Sequence, residues 1–359
     1  MLFDLPSDDV LYDALVRRDP AYDGFAFVAV KSTGIFCRLV CPARNPKREN
    51  SVFYDSVAAC LAAGYRPCKR CRPLAPRGEA DPLVKTLTEA LEREPARRWR
   101  ETDLVALGLD PSTVRRAFKR HFGITFLDMA RLRRLGSASK TLSSGEPVIQ
   151  AQLEAGFESA SGFRAAFGRL LGQPPAGLRG RALLTADWIE TPIGPMVAVA
   201  DRHALHLLEF FERKALPAEL KRLQDVTRSG IAIGPSPLID QLRTELAQYF
   251  DGRLAAFSVP LARQGSDFTR QVWDRLRALP VGETRSYSEI ADDIGRPSAV
   301  RAVARANGAN PIAIVVPCHR IIGANGDLTG YGGGLWRKRW LLEHERRVAA
   351  HRHDTKIAG

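Results

Sequence analysis

Two groups of residues in this chain have the types and spacing to do chemistry, and both are built on sulfur. Cys37-x3-Cys41 and Cys68-x2-Cys71 are two short-spaced pairs joined by a longer connection. Each pair can bite a metal from a tight turn, and the connection brings the second pair round to close a tetrahedral zinc site. The second group is Ile314-Val-Val-Pro-Cys318-His319-Arg-Ile-Ile. A thiol in such an apolar, strand-like run is buried, and burial raises its pKa and makes it inert. To act as a nucleophile it needs a base, and a histidine oriented by a carboxylate is one. His319 is adjacent, Glu345 is a carboxylate further along, and Asn310, just before Pro311, suits a hydrogen-bonded turn.

Each group also has a plainer reading. Paired cysteines of this spacing are more often structural zinc ligands than reactive ones. A Pro-Cys-His in a core strand is usually structural, and an adjacent Cys and His are not themselves a hydrolase dyad. Cys60 fits neither group and reads as a core thiol.

The elements that must position these sulfurs fall into several domains. At 359 residues the chain is long enough for two to four. The net charge of +13 points to a polyanionic partner, nucleic acid before membrane. No apolar run is long enough to span a bilayer, and the N-terminus lacks a signal-peptide pattern, so a cytoplasmic location is expected, where thiols stay reduced. Arg38, Arg44, Lys47, Arg48, Arg66, Lys69, Arg70 and Arg72 surround the four paired cysteines. Pro73–Gly78 reads as a linker.

Residues 81–181 carry a helical pattern, with Leu83, Leu87 and Leu91 on one face. Thr102–Arg120 reads as a helix, a turn at Gly108 and a second helix capped by Ser112, a helix-turn-helix. Its second helix buries Val114, Ala117 and Phe118 and presents Arg115, Arg116 and Lys119. A second such unit follows over Val148–Leu171, with Phe163 and Phe167 inside. Residues 185–258 read as an α/β stretch with no polar constellation. Further on, Ser286 and Glu289 fit a capping box, Ser298 caps the next helix, and Arg301 and Arg305 share a face of it. Residues from Arg346 on read as a loose polar tail.

The tandem helices resemble the DNA-binding domain of AraC-type regulators, through Gly156-Phe-Glu-Ser-Ala-Ser-Gly-Phe and Gly172-Gln-Pro-Pro. Pro317-Cys318-His319-Arg320, Asn310-Pro311, Tyr287, Gly330-Tyr331-Gly-Gly-Gly and Leu341–Glu345 resemble the O6-alkylguanine-DNA alkyltransferase family. Gly34-Ile-Phe-Cys37 through Cys68-Lys-Arg-Cys71 resembles the zinc domain of the Ada family, and the three blocks stand in the Ada order. The resemblance implies a multidomain α+β chain. It would comprise a small zinc-binding α/β domain (1–76), an all-α tandem helix-turn-helix domain (81–181), an α/β subdomain (185–260), a mainly helical alkyltransferase domain (266–348) and a tail (349–359).

It further implies one Zn2+ held by Cys37, Cys41, Cys68 and Cys71. Cys37 would accept methyl groups from DNA phosphotriesters, and Cys318 from O6-methylguanine and O4-methylthymine. His319 and Glu345 would relay the proton through a bridging water, and Asn310 would order the turn. Arg301 would fill the place of the flipped nucleotide, and Tyr287 would help rotate it. Tyr331 would lie on the loop closing the base pocket, beside Gly332, where many relatives carry a side chain. Thr33, Arg44 and Arg66 would touch DNA. Double-stranded DNA and RNA polymerase are the implied partners. The alternative is a zinc-containing transcription regulator with structural cysteines and no alkyl transfer.

Overall fold

The computed structural model describes residues 5–74, 81–122, 124–171, 175–178, 183–211, 213 and 215–357. They form two compact units. One combines residues 1–77 with 265–359, and the other spans 78–264. The Pro73–Gly78 linker lies largely outside the described residues, as do parts of the Gly172-Gln-Pro-Pro motif, and the Phe167 side chain is not described.

In the first unit, a helix at Asp8–Arg17 precedes a four-stranded sheet. Its order is Ser51–Tyr54, Phe27–Val30, Ile35–Arg38, Arg66–Pro67. Strand alternation sends successive side chains to opposite faces. Phe27, Ala29 and Phe36 pack on Cys60 from one face. Val28 and its partner Cys37 lie on the other, with Leu11, Leu15, Phe25 and Leu39. This register separates Cys60 from the paired cysteines.

The same unit continues with helices at Asp267–Arg277, Tyr287–Asp293 and Val300–Gly308. Ser286 and Glu289 form the expected capping box. Ser298 does not cap the following helix. It sits in a 3-10 turn, Pro297–Ala299, and the N-cap position is Ala299, which has no side chain to donate or accept. The segment expected to be a strand at Ile314–Pro317 is a turn leading into a 3-10 helix at Cys318–Arg320, and Ile314 adopts φ 70°. The tail expected from Arg346 is instead helical: one helix runs from Leu335 to Ile357. Gly282 approaches it so closely that a Cβ there would stand 2.8 Å from that of Ala349.

The second unit begins with six helices: Pro82–Arg93, Glu101–Ala106, Pro111–Phe122, Phe126–Ser143, Val148–Glu154 and Ala160–Leu171. Leu87, Leu91, Trp99, Val114, Phe118 and Phe126 fill the core of the first helix-turn-helix, and Leu135, Ala151, Ala155 and Phe163 that of the second. The cap of Pro111–Phe122 is Asp110, not Ser112. Its carboxylate accepts from the Thr113 backbone N–H at 2.7 Å and from the Ser112 hydroxyl at 2.7 Å, because a carboxylate at a helix N-terminus also meets the helix dipole.

A four-stranded sheet follows in the order Leu205–Phe210, Met196–Ala200, Leu183–Ile189, Gly230–Ile233, with helices Leu216–Thr227 and Pro237–Phe250. The first two pairings are antiparallel and the last is parallel. Gly136 lets the Phe126–Ser143 helix lie against the Ile233 carbonyl, where a Cβ would collide.

This sheet also carries a buried charge cluster, contrary to the expectation of none. Arg133 pairs with Glu92 and with Asp187 at 3.0 Å, Arg243 meets Asp187 at 3.1 Å, and Arg133 stacks over Trp188. Burial raises the Asp187 pKa against the pull of both arginines. Arg134 is also buried and donates to the Ala155 carbonyl at 2.9 Å. Two of the basic residues between Arg115 and Lys140 therefore serve the interior.

Candidate functional sites: a four-thiol cluster and a buried cysteine-histidine-glutamate chain

The paired cysteines converge. The sulfurs of Cys37, Cys41, Cys68 and Cys71 all lie within 4.8 Å of one another. Cys37 enters from the Ile35–Arg38 strand, whose far edge pairs with Arg66–Pro67, so the sheet itself carries the second cysteine pair to the first. The Arg38 backbone N–H donates to Cys71 Sγ at 3.4 Å. Four thiols this close suit a divalent cation. Hydrogen bonding to Cys71, then burial, raises Cys37 far above an ordinary thiol, while the same contact lowers Cys71 to about 5. Without a cation the sulfurs share protons among themselves; tetrahedral zinc takes all four as thiolates. Cys37 and Cys41 are buried, and Cys68 and Cys71 half-buried. Thr33, Arg44 and Arg66 are exposed in the same segment.

The second site is buried around the 3-10 turn. Asn310 is its keystone: its amide nitrogen donates to Cys318 Sγ at 3.1 Å and to the Val316 carbonyl at 2.8 Å, and its oxygen accepts from the Ile312 N–H at 3.0 Å. His319 Nε2 meets Glu345 Oε1 at 2.9 Å, and both side chains have zero exposure. Nδ1 of the same ring is buried and has no hydrogen-bond partner among the described residues. Burial lowers the His319 pKa despite the attraction of Glu345, so the ring is neutral at pH 7. Burial alone would raise Glu345, but His319 and Arg320 overcome it and hold the carboxylate well below its ordinary range.

Three residues of this site went unnoticed as a group in the sequence. Arg320 donates Nε to Glu345 Oε2 at 2.9 Å and NH2 to Oε1 at 2.8 Å, a two-pronged grip. Lys338 is fully buried. Its ammonium donates to the Ile321 and Thr329 carbonyls at 2.5 and 2.6 Å, and burial lowers it to about 8 while the charge of Cys318 pulls the other way. Asn307 is buried and donates to the Cys318 carbonyl at 3.4 Å. Arg320 adjoins the cysteine motif, but Lys338 sits in a run of mixed charge, and nothing local marks it as interior.

The remaining expected residues lie around this turn or on exposed helices. Tyr287 is half-buried and hydrogen-bonds with Thr329 and Asn307. The Tyr331 ring stands edge-on to His319 at 6.4 Å, and Gly332 is exposed beside it. Arg301 is exposed on the Val300–Gly308 helix. Arg115, Arg116 and Lys119 are exposed on Pro111–Phe122, although Arg115 also meets Glu101 at 2.7 Å. Among the described residues no helix is long and apolar enough to cross a membrane.

Three family models match segments that hold these features. Residues 10–73 match the metal binding domain of Ada, 105–181 a helix-turn-helix domain, and 267–347 the DNA binding domain of 6-O-methylguanine DNA methyltransferase. The thiol cluster is accordingly a Zn2+ site. Over 348 residues the chain is 35% identical to the bifunctional transcriptional activator/DNA repair enzyme Ada of Escherichia coli K12, covering 94% of this chain and 96% of that protein. The chain belongs to the Ada family. It is also 49% identical over 158 residues to a methylated-DNA–protein-cysteine methyltransferase of Mycobacterium bovis, covering 44% of this chain and 90% of that one. Among solved structures, the Mycobacterium tuberculosis OGT in complex with DNA is 44% identical, covering 46% of this chain and 94% of that chain, with a TM-score of 0.41.

Proposed function

We propose that this protein repairs alkylated DNA by two irreversible transfers and regulates transcription in response to one of them. The observation that carries this reading is the pairing of a four-thiol cluster with a buried Cys-His-Glu chain in a member of the Ada family.

At the buried site, the thiol proton of Cys318 leaves by way of His319 Nδ1, through a bridging water, and Glu345 steadies the imidazolium. Sγ bonds the methyl carbon of O6-methylguanine as the carbon–O6 bond breaks. The electron pair stays with guanine, which takes a proton, and we assign the Tyr287 hydroxyl as its donor. In sum the methyl group moves to sulfur and the thiol proton to guanine. O4-methylthymine presents the same alkyl ether. The base reaches the sulfur only outside the stack, at a cost of a few kcal/mol, and Arg301 fills the gap it leaves. Asn310 holds the sulfur in register, and Tyr331 with Gly332 borders the base. The thioether has no exit route, so each Cys318 acts once.

At the other site, bound zinc supplies a thiolate at neutral pH. Cys37 Sγ bonds the methyl carbon of a phosphotriester, the carbon–oxygen bond breaks, and the phosphodiester leaves with its negative charge. Thr33, Arg44 and Arg66 contact the flanking backbone. Methylation removes one negative charge from a site of four thiolates and one Zn2+, and repulsion of ordinary phosphates falls. Arg115, Arg116 and Lys119 then engage promoter DNA, and the bound protein recruits RNA polymerase. A cytoplasmic location fits these partners.

Mass mapping after incubation with methylated duplex DNA tests the reading: one methyl group on Cys37 and one on Cys318 are expected, and no gain at either sulfur refutes it. Promoter affinity should rise on Cys37 methylation, with a shallower salt dependence for the unmethylated form's deficit. Equal binding of both forms at several salt concentrations would remove the switch.

A further inference from the structure

The Leu335–Ile357 helix begins with two cations inside the protein. Leu335, Trp336, Arg337 and Lys338 make its first turn, which holds no acid. Arg337 is 3% exposed and Lys338 is fully buried. The N-terminal end of a helix is the positive end of its dipole and favours acids, and a buried cation gives up its hydration. Two local rules are broken in one turn. Proteins break such rules at functional sites, where the offending groups are kept for what they hold.

Both cations hold the same loop. Thr329-Gly330-Tyr331-Gly332-Gly333 runs into the helix through Gly334. The Lys338 ammonium ties its front end, donating to the Thr329 carbonyl at 2.6 Å and to the carbonyl of Ile321, which follows the Cys318–Arg320 turn. The Arg337 guanidinium ties its rear end, where Nη1 donates to the Gly333 carbonyl at 2.8 Å. Between the two ties stands Tyr331, its ring edge-on to His319 at 6.4 Å, and Tyr287 hydrogen-bonds with Thr329. Gly332, Gly333 and Gly334 follow one another, so no side chain of the loop can fix its rear end. The guanidinium does so from the helix.

On the reading of Cys318 as an alkyl acceptor, with Tyr331 and Gly332 bordering the base, we propose that Arg337 is a specificity-determining positioning residue. Its tie to Gly333 fixes the width of the base pocket, and so the size of the alkyl group that Cys318 accepts. A methyl group fits a loop held at both ends. A bulkier group must push Tyr331 and Gly332 outward, and with the front end fixed by Lys338 the rear end must yield. Yielding parts the Gly333 carbonyl from a charged donor, which shifts an equilibrium by about 10-fold or more. Loss of the tie relaxes the discrimination against bulk and leaves the methyl substrate with a pocket wall that is no longer preorganised.

The test uses the full-length chain carrying Arg337→Met, which keeps a long apolar stem and loses the donor, or Arg337→Lys, which keeps a single donor on a shorter stem. Single-turnover transfer to Cys318 is followed from duplexes bearing O6-methylguanine and O6-benzylguanine. Hydrogen–deuterium exchange is read on the peptide covering 329–335. In Arg337→Met, methyl transfer is expected to fall about 10-fold, with benzyl transfer unchanged or raised and the loop exchanging faster. Benzyl transfer appearing where the wild-type chain shows none is the same result. Arg337→Lys should shift the methyl-to-benzyl ratio in the same direction by a smaller factor. An unchanged ratio overturns the proposal, as does unchanged exchange, or an equal fall for both substrates, which a merely structural role predicts. Should thermal melts show that Arg337→Met does not fold, Arg337→Lys decides by the same ratio. If the wild-type chain takes an alkyl group from neither duplex, the acceptor reading fails, and the exchange data still decide whether Arg337 holds the loop.

Discussion

Cys318→Ser protein, offered duplexes bearing O6-methylguanine and a methyl phosphotriester, is expected to gain one methyl group instead of two, and that one on Cys37. The substitution is close to isosteric, and Asn310, which donates to the sulfur at 3.1 Å, can donate equally to an oxygen. The turn and the helices around it should therefore persist. What is lost is nucleophilicity, because a hydroxyl does not ionise at the bidding of a neutral imidazole as a thiol does. Transfer to residue 318 should fall by about 10⁴-fold or more, the scale on which removal of a nucleophile acts. Transfer to Cys37 should proceed at the wild-type rate, since its sulfur is activated by the four-thiol site alone. Mass mapping of the two peptides reads both results at once. Retained transfer to position 318, or a parallel loss at Cys37, would contradict the assignment of two independent acceptors.

Glu345→Ala should have the largest effect on stability. Its carboxylate accepts from His319 and, at two points, from Arg320, and all three side chains are buried. Removing one partner of a buried ion pair leaves the other charge uncompensated, at about 3–5 kcal/mol. That corresponds to a fall in melting temperature of about 10 °C. Glu345→Gln retains the shape and should lose less.

The pH dependence has a definite sign. The folded pKa of Glu345 lies below its unfolded value of about 4.3, so its contribution is complete above that pH and is lost as the pH falls toward the folded value. His319 is also lowered by burial, so acid favours the unfolded chain from about pH 6.5 downward. Thermal melts between pH 7 and 3 should show the wild-type chain losing stability along this limb, with the part below about pH 4.3 missing in Glu345→Gln. A wild-type melting temperature that does not change over that range would show that the chain is not held as described.

Much of this arrangement was legible in the sequence where the signal is local. Cysteine spacing announced the metal site, and the Ser286-x-x-Glu289 box announced a helix start. The apolar run Phe27-Val-Ala-Val reads as a short strand, and it is one. Features decided by distant partners were not legible. Asp110 caps the helix because Ser112 already lies within its first turn, where its hydroxyl donates to the same carboxylate that accepts from the Thr113 N–H. Arg133 lies in a basic stretch, and only the fold brings Glu92 and Asp187 round it. Lys338 sits in a run of mixed charge, and only the fold brings the Ile321 and Thr329 carbonyls to accept hydrogen bonds from its ammonium. The polar residues after Arg346 looked like a tail because the helix there has no clean apolar stripe of its own.

The joining of residues 1–77 with 265–359 in one unit has a consequence for biosynthesis. The apolar face of Leu11, Leu15 and Phe25 leaves the ribosome long before Leu335 and Leu342, which cover it. At roughly 5–20 residues per second, the stretch from Phe25 to Leu335 takes roughly fifteen to sixty seconds to translate. During that interval the early segment must wait with its oily side uncovered, a natural moment for chaperone attendance, and slowing the ribosome within 78–264 would lengthen the exposure without altering one amino acid.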